Sequence, residues 1–178
     1  NFGNPAQVDA FAACNHVMAV GAVNRNGVIT YYSNRGSNMN IVAPGGDSSG
    51  TMAGSVLSTV RNDAAGLDTG YGYMAGTSMA SPHAAGVAAL MAAANPSITP
   101  LEIATVMEQT AMDLGDPGTD DIYGAGLVDA YAAVVEAKRM AGWQMPLSET
   151  LSVSASELSF HAGGAASKTV IISNIGTS

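Results

Sequence analysis

Charge is scarce in this chain. Asp, Glu, Lys and Arg make up 11% of its 178 residues, and with only 6 Lys and Arg the formal net charge is −8. Nucleic-acid binding rests on clusters of Lys and Arg that neutralise phosphates, so this class of function is excluded. A surface so poor in charge is filled by Ser, Thr, Asn and Gly, which is compatible with an extracellular enzyme. Cysteine is nearly absent: Cys14 is the only one. It cannot close a disulfide within the chain, and no Cys-x-x-Cys or Cys/His cluster points to zinc. Its apolar neighbours suggest a small buried or half-buried thiol; the alternative is a disulfide to a residue upstream of Asn1. Long apolar runs are missing too. None reaches the ~18–20 residues needed to cross a bilayer, and there is no signal peptide. The first residue is Asn rather than Met, which reads as a processed or cut chain. No internal repeat is evident.

Hydrophobic residues are plentiful, at 47%, enough for a sizeable core. Residues 16–22 form a short apolar run suited to a buried strand. Val28 to Tyr32 is a second β-like run, and Asn40 to Gly46 a third, stopped by Pro44 and two glycines. Residues 45–76, rich in Gly, Ser, Asp and Thr, are expected to be mostly loop. Ser78 to Ala94 is Ala-rich and apolar nearly all round, which predicts a buried helix, with Pro82 tolerated in its first turns. Thr99, Pro100 and Glu102 spell a capping box for a helix reaching about Met112. A turn-rich segment, 113–126, precedes a third helix from about Val128 to Met140, whose Lys138 and Arg139 suit its negative C-terminal end. After a break near Gly142 to Ser148, Leu151–Ser156 and Lys168–Ser173 read as strands. Two strands are not a stable sheet alone, so they look like the start of a truncated β-sandwich-like module. The expected division is 1–144 and 145–178.

The chemistry concentrates at Gly76-Thr77-Ser78-Met79-Ala80-Ser81-Pro82-His83. A serine hydroxyl is a poor nucleophile without a base and a site for the oxyanion. A helix N-terminus supplies part of the second need, through unpaired N–H groups and a dipole that favours negative charge. Gly76 allows close approach of a substrate carbonyl, and the small residues after Ser78 let the helix sit deep. On these grounds alone, an ordinary Ser at a helix start remains an equal reading.

The eight residues from Gly76 to His83 resemble the nucleophile motif of the subtilisin-like serine peptidases, the subtilases. Val17-Met-Ala-Val-Gly-Ala, Tyr32-Ser-Asn-Arg-Gly, Ile41-Val-Ala-Pro-Gly-Gly and Tyr123-Gly-Ala-Gly-Leu-Val-Asp-Ala resemble subtilase segments in the right order. The likeness covers roughly residues 1–140. It implies the C-terminal portion of a three-layer α/β fold with a mostly parallel sheet. It also implies a secreted serine endopeptidase that forms an acyl-enzyme on Ser78, needs no cofactor for chemistry and acts on proteins or peptides as a monomer. Asn1-Phe2-Gly3 looks like the tail of the segment whose Asn donates to the oxyanion, so Asn1 is the implied oxyanion donor. Removing such a donor costs about 10²–10³ in turnover, a figure that comes from this same family. Phe2, Gly3, Met74, Ala75, Gly76, Thr77 and Met79 are the expected substrate-side residues, and Met79 is an oxidation liability. Calcium is common in the family. The matching position would put oxygen ligands near Asn15, the Val17 carbonyl and Asn40, with Asn40 standing where a carboxylate is usual. The Asp-rich loop at Asp113, Asp116, Asp120 and Asp121 lacks an EF-hand pattern and reads as solvated.

The resemblance places a catalytic Asp and His before Asn1, and no residue here substitutes for them. His83 lies about 140° around the helix from Ser78 and faces away. His16 reads as a strand-end residue, and His161 belongs to the β segment. Asp68-Thr69-Gly70 mimics the family's aspartate motif, but in a loop just before Ser78, where that residue should not be. An α/β-hydrolase reading, with Asp129 and His161 after Ser78, lacks a strand leading into Gly76. The remaining alternative is a catalytically dead scaffold that only binds peptide.

Overall fold

A computed structural model of the chain describes residues 12, 14–47, 54–62 and 67–143. The chain divides into two compact units, Asn1–Ala141 and Gly142–Ser178. Of the second unit only Gly142 and Trp143 are described, so the strands expected at 151–156 and 168–173 lie outside the described residues.

In the first unit, β1 (Val20–Val23) pairs in parallel with β2 (Ile41–Pro44), with Val20 opposite Ile41 and Ala22 opposite Ala43. Both are short apolar runs and almost wholly buried, as parallel strands covered on both faces must be. Residues 126–128 extend this sheet on the other side of β2. Val42 N–H donates to the Gly126 carbonyl at 2.9 Å, and Val128 N–H donates to the Val42 carbonyl at 3.0 Å.

Two expectations need correction. Val28 to Tyr32 is not a strand: only Ile29 bridges to Val23, and a turn follows in which Ser33 N–H returns to the Thr30 carbonyl. Residues 45–76 are not mostly loop. β3 (Val56–Asn62) and β4 (Leu67–Met74) form an antiparallel hairpin with an irregularity between Val60 and Asn62. The β-branched Val56, Thr59 and Val60 favour extension more strongly than the surrounding Gly and Ser oppose it. Asp68 therefore sits in a strand rather than a loop.

α1 (Thr77–Ala94) follows the hairpin directly. Its Ala-rich sequence favours helix, but it is buried along one stripe only: Ala80, Ala84, Val87 and Met91. Leu90 is 55% exposed, so the expectation of burial all round does not hold among the described residues. α2 (Pro100–Thr110) begins with the expected capping box. Thr99 N–H donates to Glu102 Oε2 at 2.8 Å, and Glu102 N–H donates to Thr99 Oγ1 at 3.3 Å. It stops short of Met112 because Met112 exchanges both backbone hydrogen bonds with Leu127, at 2.8 Å each. α3 (Ala130–Met140) starts after Asp129, whose carboxylate accepts from Ala132 N–H at 2.9 Å. Ile41, Ala84, Val87, Met91, Val106, Met107, Ala133 and Ala137 form the main core, joining β2 to all three helices.

Candidate active site

Ser78 is exposed in the first turn of α1. Gly76 is the N-cap and offers no side chain, so no side-chain capping bond closes the helix start, and no acidic residue occupies the first turn. The N–H groups of Met79 and Ala80 both turn back to the Gly76 carbonyl, at 2.9 and 3.3 Å. Ser78 lies at the second helical position, whose N–H has no partner within the helix. Pro82, four residues on, has no N–H to give the Ser78 carbonyl, so the turn bearing Ser78 lacks one helical hydrogen bond. The result is an exposed hydroxyl above a helix end whose partial positive charge is not neutralised from within.

The approach to this turn comes from two directions. β4 ends at Met74, which is 51% exposed; half-buried Ala75 and buried Gly76 follow. A strand therefore does lead into Gly76. It pairs antiparallel with β3 in a separate two-stranded sheet, unlike the nucleophile strand of an α/β-hydrolase. From the other side comes the Gly45-Gly46 turn at the end of β2. Gly76 N–H donates to the Gly45 carbonyl at 2.9 Å, and Gly45 N–H donates to the Val23 carbonyl at 2.9 Å. The hydroxyl of Tyr32, a residue only 7% exposed, donates to the Gly46 carbonyl. Burial pushes the Tyr32 phenol above its ordinary value, and bonds from Thr30 and the Gly76 backbone offset part of that rise.

Of the residues expected at the site, Ser78, Gly76, Thr77, Met79, Met74 and Ala75 are contiguous here. Asn1, Phe2 and Gly3 lie outside the described residues. His83 is exposed and its Nδ1 lies 2.7 Å from the Met79 carbonyl of its own helix. His16 is exposed in a turn at φ 65, not at a strand end. Cys14 is exposed, contrary to the burial expected from its neighbours. Sequence reasoning assigned no role to Tyr32, Gly45 or Gly46. The signal was a hydroxyl within an apolar run and a Gly pair just after a strand.

At the expected calcium position, Asn40 has two partners within the protein. Asn40 Oδ1 accepts from Ala19 N–H at 2.7 Å, and Asn40 Nδ2 donates to Glu108 Oε1 at 2.7 Å. The bond from Ala19 N–H takes one of the two lone pairs of this amide oxygen, and the amide nitrogen turns a donor toward the Glu108 carboxylate. Among the described residues, no group of three or more His, Cys, Asp or Glu could hold a metal ion. Asn40→Asp sets a second carboxylate against Glu108, with no donor between them. It is expected to lower the stability of the complete protein by about 2 kcal/mol in urea titration. The double variant Asn40→Asp/Glu108→Gln, which reverses the donor, is expected to regain most of that loss.

With this geometry in place, the chain can be set beside known proteins. It is 38% identical over 128 residues to the extracellular basic protease of Dichelobacter nodosus, covering 69% of this chain and 20% of that protein. It is 39% identical over 118 residues to the M-protease of Shouchella clausii, covering 66% of this chain and 27% of that protein. A solved protease structure from Pseudoalteromonas arctica superposes with a TM-score of 0.60 at 45% identity, over 70% of this chain and 37% of that one. The chain thus spans only about a fifth to a quarter of the length of these two curated relatives. The family model described as the subtilase family matches residues 1–126, a stretch that includes the Ser78 turn, the Gly45-Gly46 turn and Tyr32, and on that match the chain belongs to the subtilase family.

Proposed function

We propose that the chain is the C-terminal portion of the catalytic domain of a secreted serine endopeptidase, with the domain ending near residue 144 and a β-rich accessory segment over 145–178. Peptide bonds are cleaved through an acyl-enzyme on Ser78. A His upstream of Asn1 removes the Ser78 proton and later donates it to the leaving amine, and an upstream Asp orients that His. The Asn1 side chain and the Ser78 backbone N–H stabilise the tetrahedral oxyanion. Met74 and Ala75 line the leaving-group side of the cleft, and Gly76, Thr77, Met79, Phe2 and Gly3 are further substrate-side residues. The chemistry needs no cofactor, and structural calcium is proposed near Asn15, the Val17 carbonyl and Asn40. No helix among the described residues is long and apolar enough to cross a membrane. That one relative is named as an extracellular protease supports secretion and protein or peptide substrates; a monomeric state is part of the proposal.

The observation that carries this reading is the exposed Ser78 at an uncapped helix start, within eight residues that match the family's nucleophile motif. A fluorophosphonate probe, incubated with the complete protein and followed by peptide mapping, is expected to mark Ser78. No label there, in a protein shown to be folded, would favour the dead scaffold that only binds peptide. The 178-residue chain by itself is expected to hydrolyse no peptide substrate. The ring nitrogen of His83 nearer its helix is held at the Met79 carbonyl, and no other described His or carboxylate bonds Ser78. Measurable turnover by the purified chain would overturn the assignment of the base to an upstream residue.

A further inference from the structure

The start of α1 lacks the devices that ordinarily fix a helix end. Gly76 has no side chain to cap it, and its own carbonyl closes only the first turn from within. The location of Ser78, two residues later, must therefore be set from outside the helix. Two groups do this. The Gly45 carbonyl takes the Gly76 N–H at 2.9 Å. Behind it stands Tyr32, whose hydroxyl donates to the Gly46 carbonyl. A Cβ placed on Gly45 would lie 3.0 Å from that hydroxyl and 2.9 Å from the Gly76 carbonyl, so the phenol, the turn and the helix start meet at one point. The ring belongs to a cluster with Ala22, Ala43 and Ala80, and half-buried Ala75 packs against that cluster. Tyr32 thereby shares its packing with residues on both sides of Ser78. A phenol hydroxyl is costly to bury unless it is bonded, so a phenylalanine would fill the same space more cheaply. The hydroxyl instead bonds the Gly46 carbonyl, one residue from the Gly45 carbonyl that takes the Gly76 N–H.

We propose that Tyr32 is a positioning residue for Ser78: its hydroxyl fixes the Gly45-Gly46 turn against Gly76 and so sets where the nucleophile stands. The inference rests on the reading of Ser78 as the nucleophile. Tyr32 touches no reacting atom. It acts through the Gly46 carbonyl and the Gly76 backbone, and a small displacement there is carried directly to a hydroxyl that must attack within a narrow geometry.

The test is Tyr32→Phe in the complete protein, which keeps the ring and its apolar packing and removes only the hydroxyl. Wild type and variant are compared by the second-order rate of fluorophosphonate labelling at Ser78, by kcat and KM on a peptide substrate, and by thermal midpoint. The expected result is labelling and kcat each lower by about five- to tenfold, KM little changed, and a folded protein at the assay temperature. Labelling and kcat at the wild-type level would overturn the inference. So would a loss that vanishes once rates are expressed per mole of folded protein, since that is what a purely structural role predicts. Absence of label at Ser78 in the wild type would overturn the nucleophile reading and this inference with it, an outcome visible without the variant.

Discussion

Ser78→Ala in the complete protein is expected to remove about 10⁶-fold of turnover, the size found when the nucleophile of a subtilisin is deleted, while leaving the fold in place. The two halves of this expectation have separate grounds. Turnover falls because no other hydroxyl stands at the Ser78 position: Thr77 lies about 100° around the helix, and Ser81 lies about 4.5 Å further along it. Stability is kept because Ser78 is exposed and makes no capping bond, and alanine is the best helix former for the position it leaves. Peptide hydrolysis should disappear while the thermal midpoint stays within a few degrees of wild type. Residual activity at the wild-type level would sink the assignment.

Gly45→Ala should damage fold and activity together. The added methyl would lie 2.5 Å from the Ala22 Cβ and 2.9 Å from the Gly76 carbonyl. Neither neighbour can yield by rotating a side chain: one is the Cβ of a residue with no exposed surface, the other is backbone. β1 and the helix start must separate, which stretches the Gly76 to Gly45 hydrogen bond. Overpacking of this kind costs about 1–3 kcal/mol, and the expectation here is the upper end. Urea titration gives the stability loss. Labelling of Ser78, corrected for the folded fraction, should still fall by about tenfold or more, because the surviving folded molecules carry a displaced nucleophile. A variant as stable and as readily labelled as wild type would show that the turn does not press on Gly76.

Much of this was legible in the sequence, for identifiable reasons. Ala-rich composition and the Thr99 to Glu102 pairing determine α1 and α2 locally, so both can be read from neighbouring residues alone. Ile41-Val-Ala-Pro is a short apolar run with a built-in stop, and it became β2. What could not be read depends on partners distant in sequence. The end of α2 is decided by Leu127, which claims the backbone of Met112. The run Val28 to Tyr32 has strand-like residues but makes only one bridge before it bends into the turn in which Ser33 N–H returns to the Thr30 carbonyl. At the candidate site, Ser78 was visible because its motif is contiguous. Tyr32 and the Gly45-Gly46 pair were quoted only as family likeness, since their meeting with Gly76 is a product of the fold. Asn40 was assigned by analogy, and its commitment to Ala19 and Glu108 could not be read from the amide alone.

The way the start of α1 is held also bears on when the serine becomes competent during folding. The 18-residue helix can form early, because its hydrogen bonds are local and its sequence favours them. Its first turn cannot reach final geometry until Gly45, Gly46 and Tyr32, all far upstream, have docked, and such non-local contacts are slow to form. A nascent chain is therefore expected to carry Ser78 on a helix whose end is still frayed. On the proposed assignment, Ser78 gains its attacking position only with the closing tertiary contacts, which is expected to keep partly folded molecules from cleaving their neighbours.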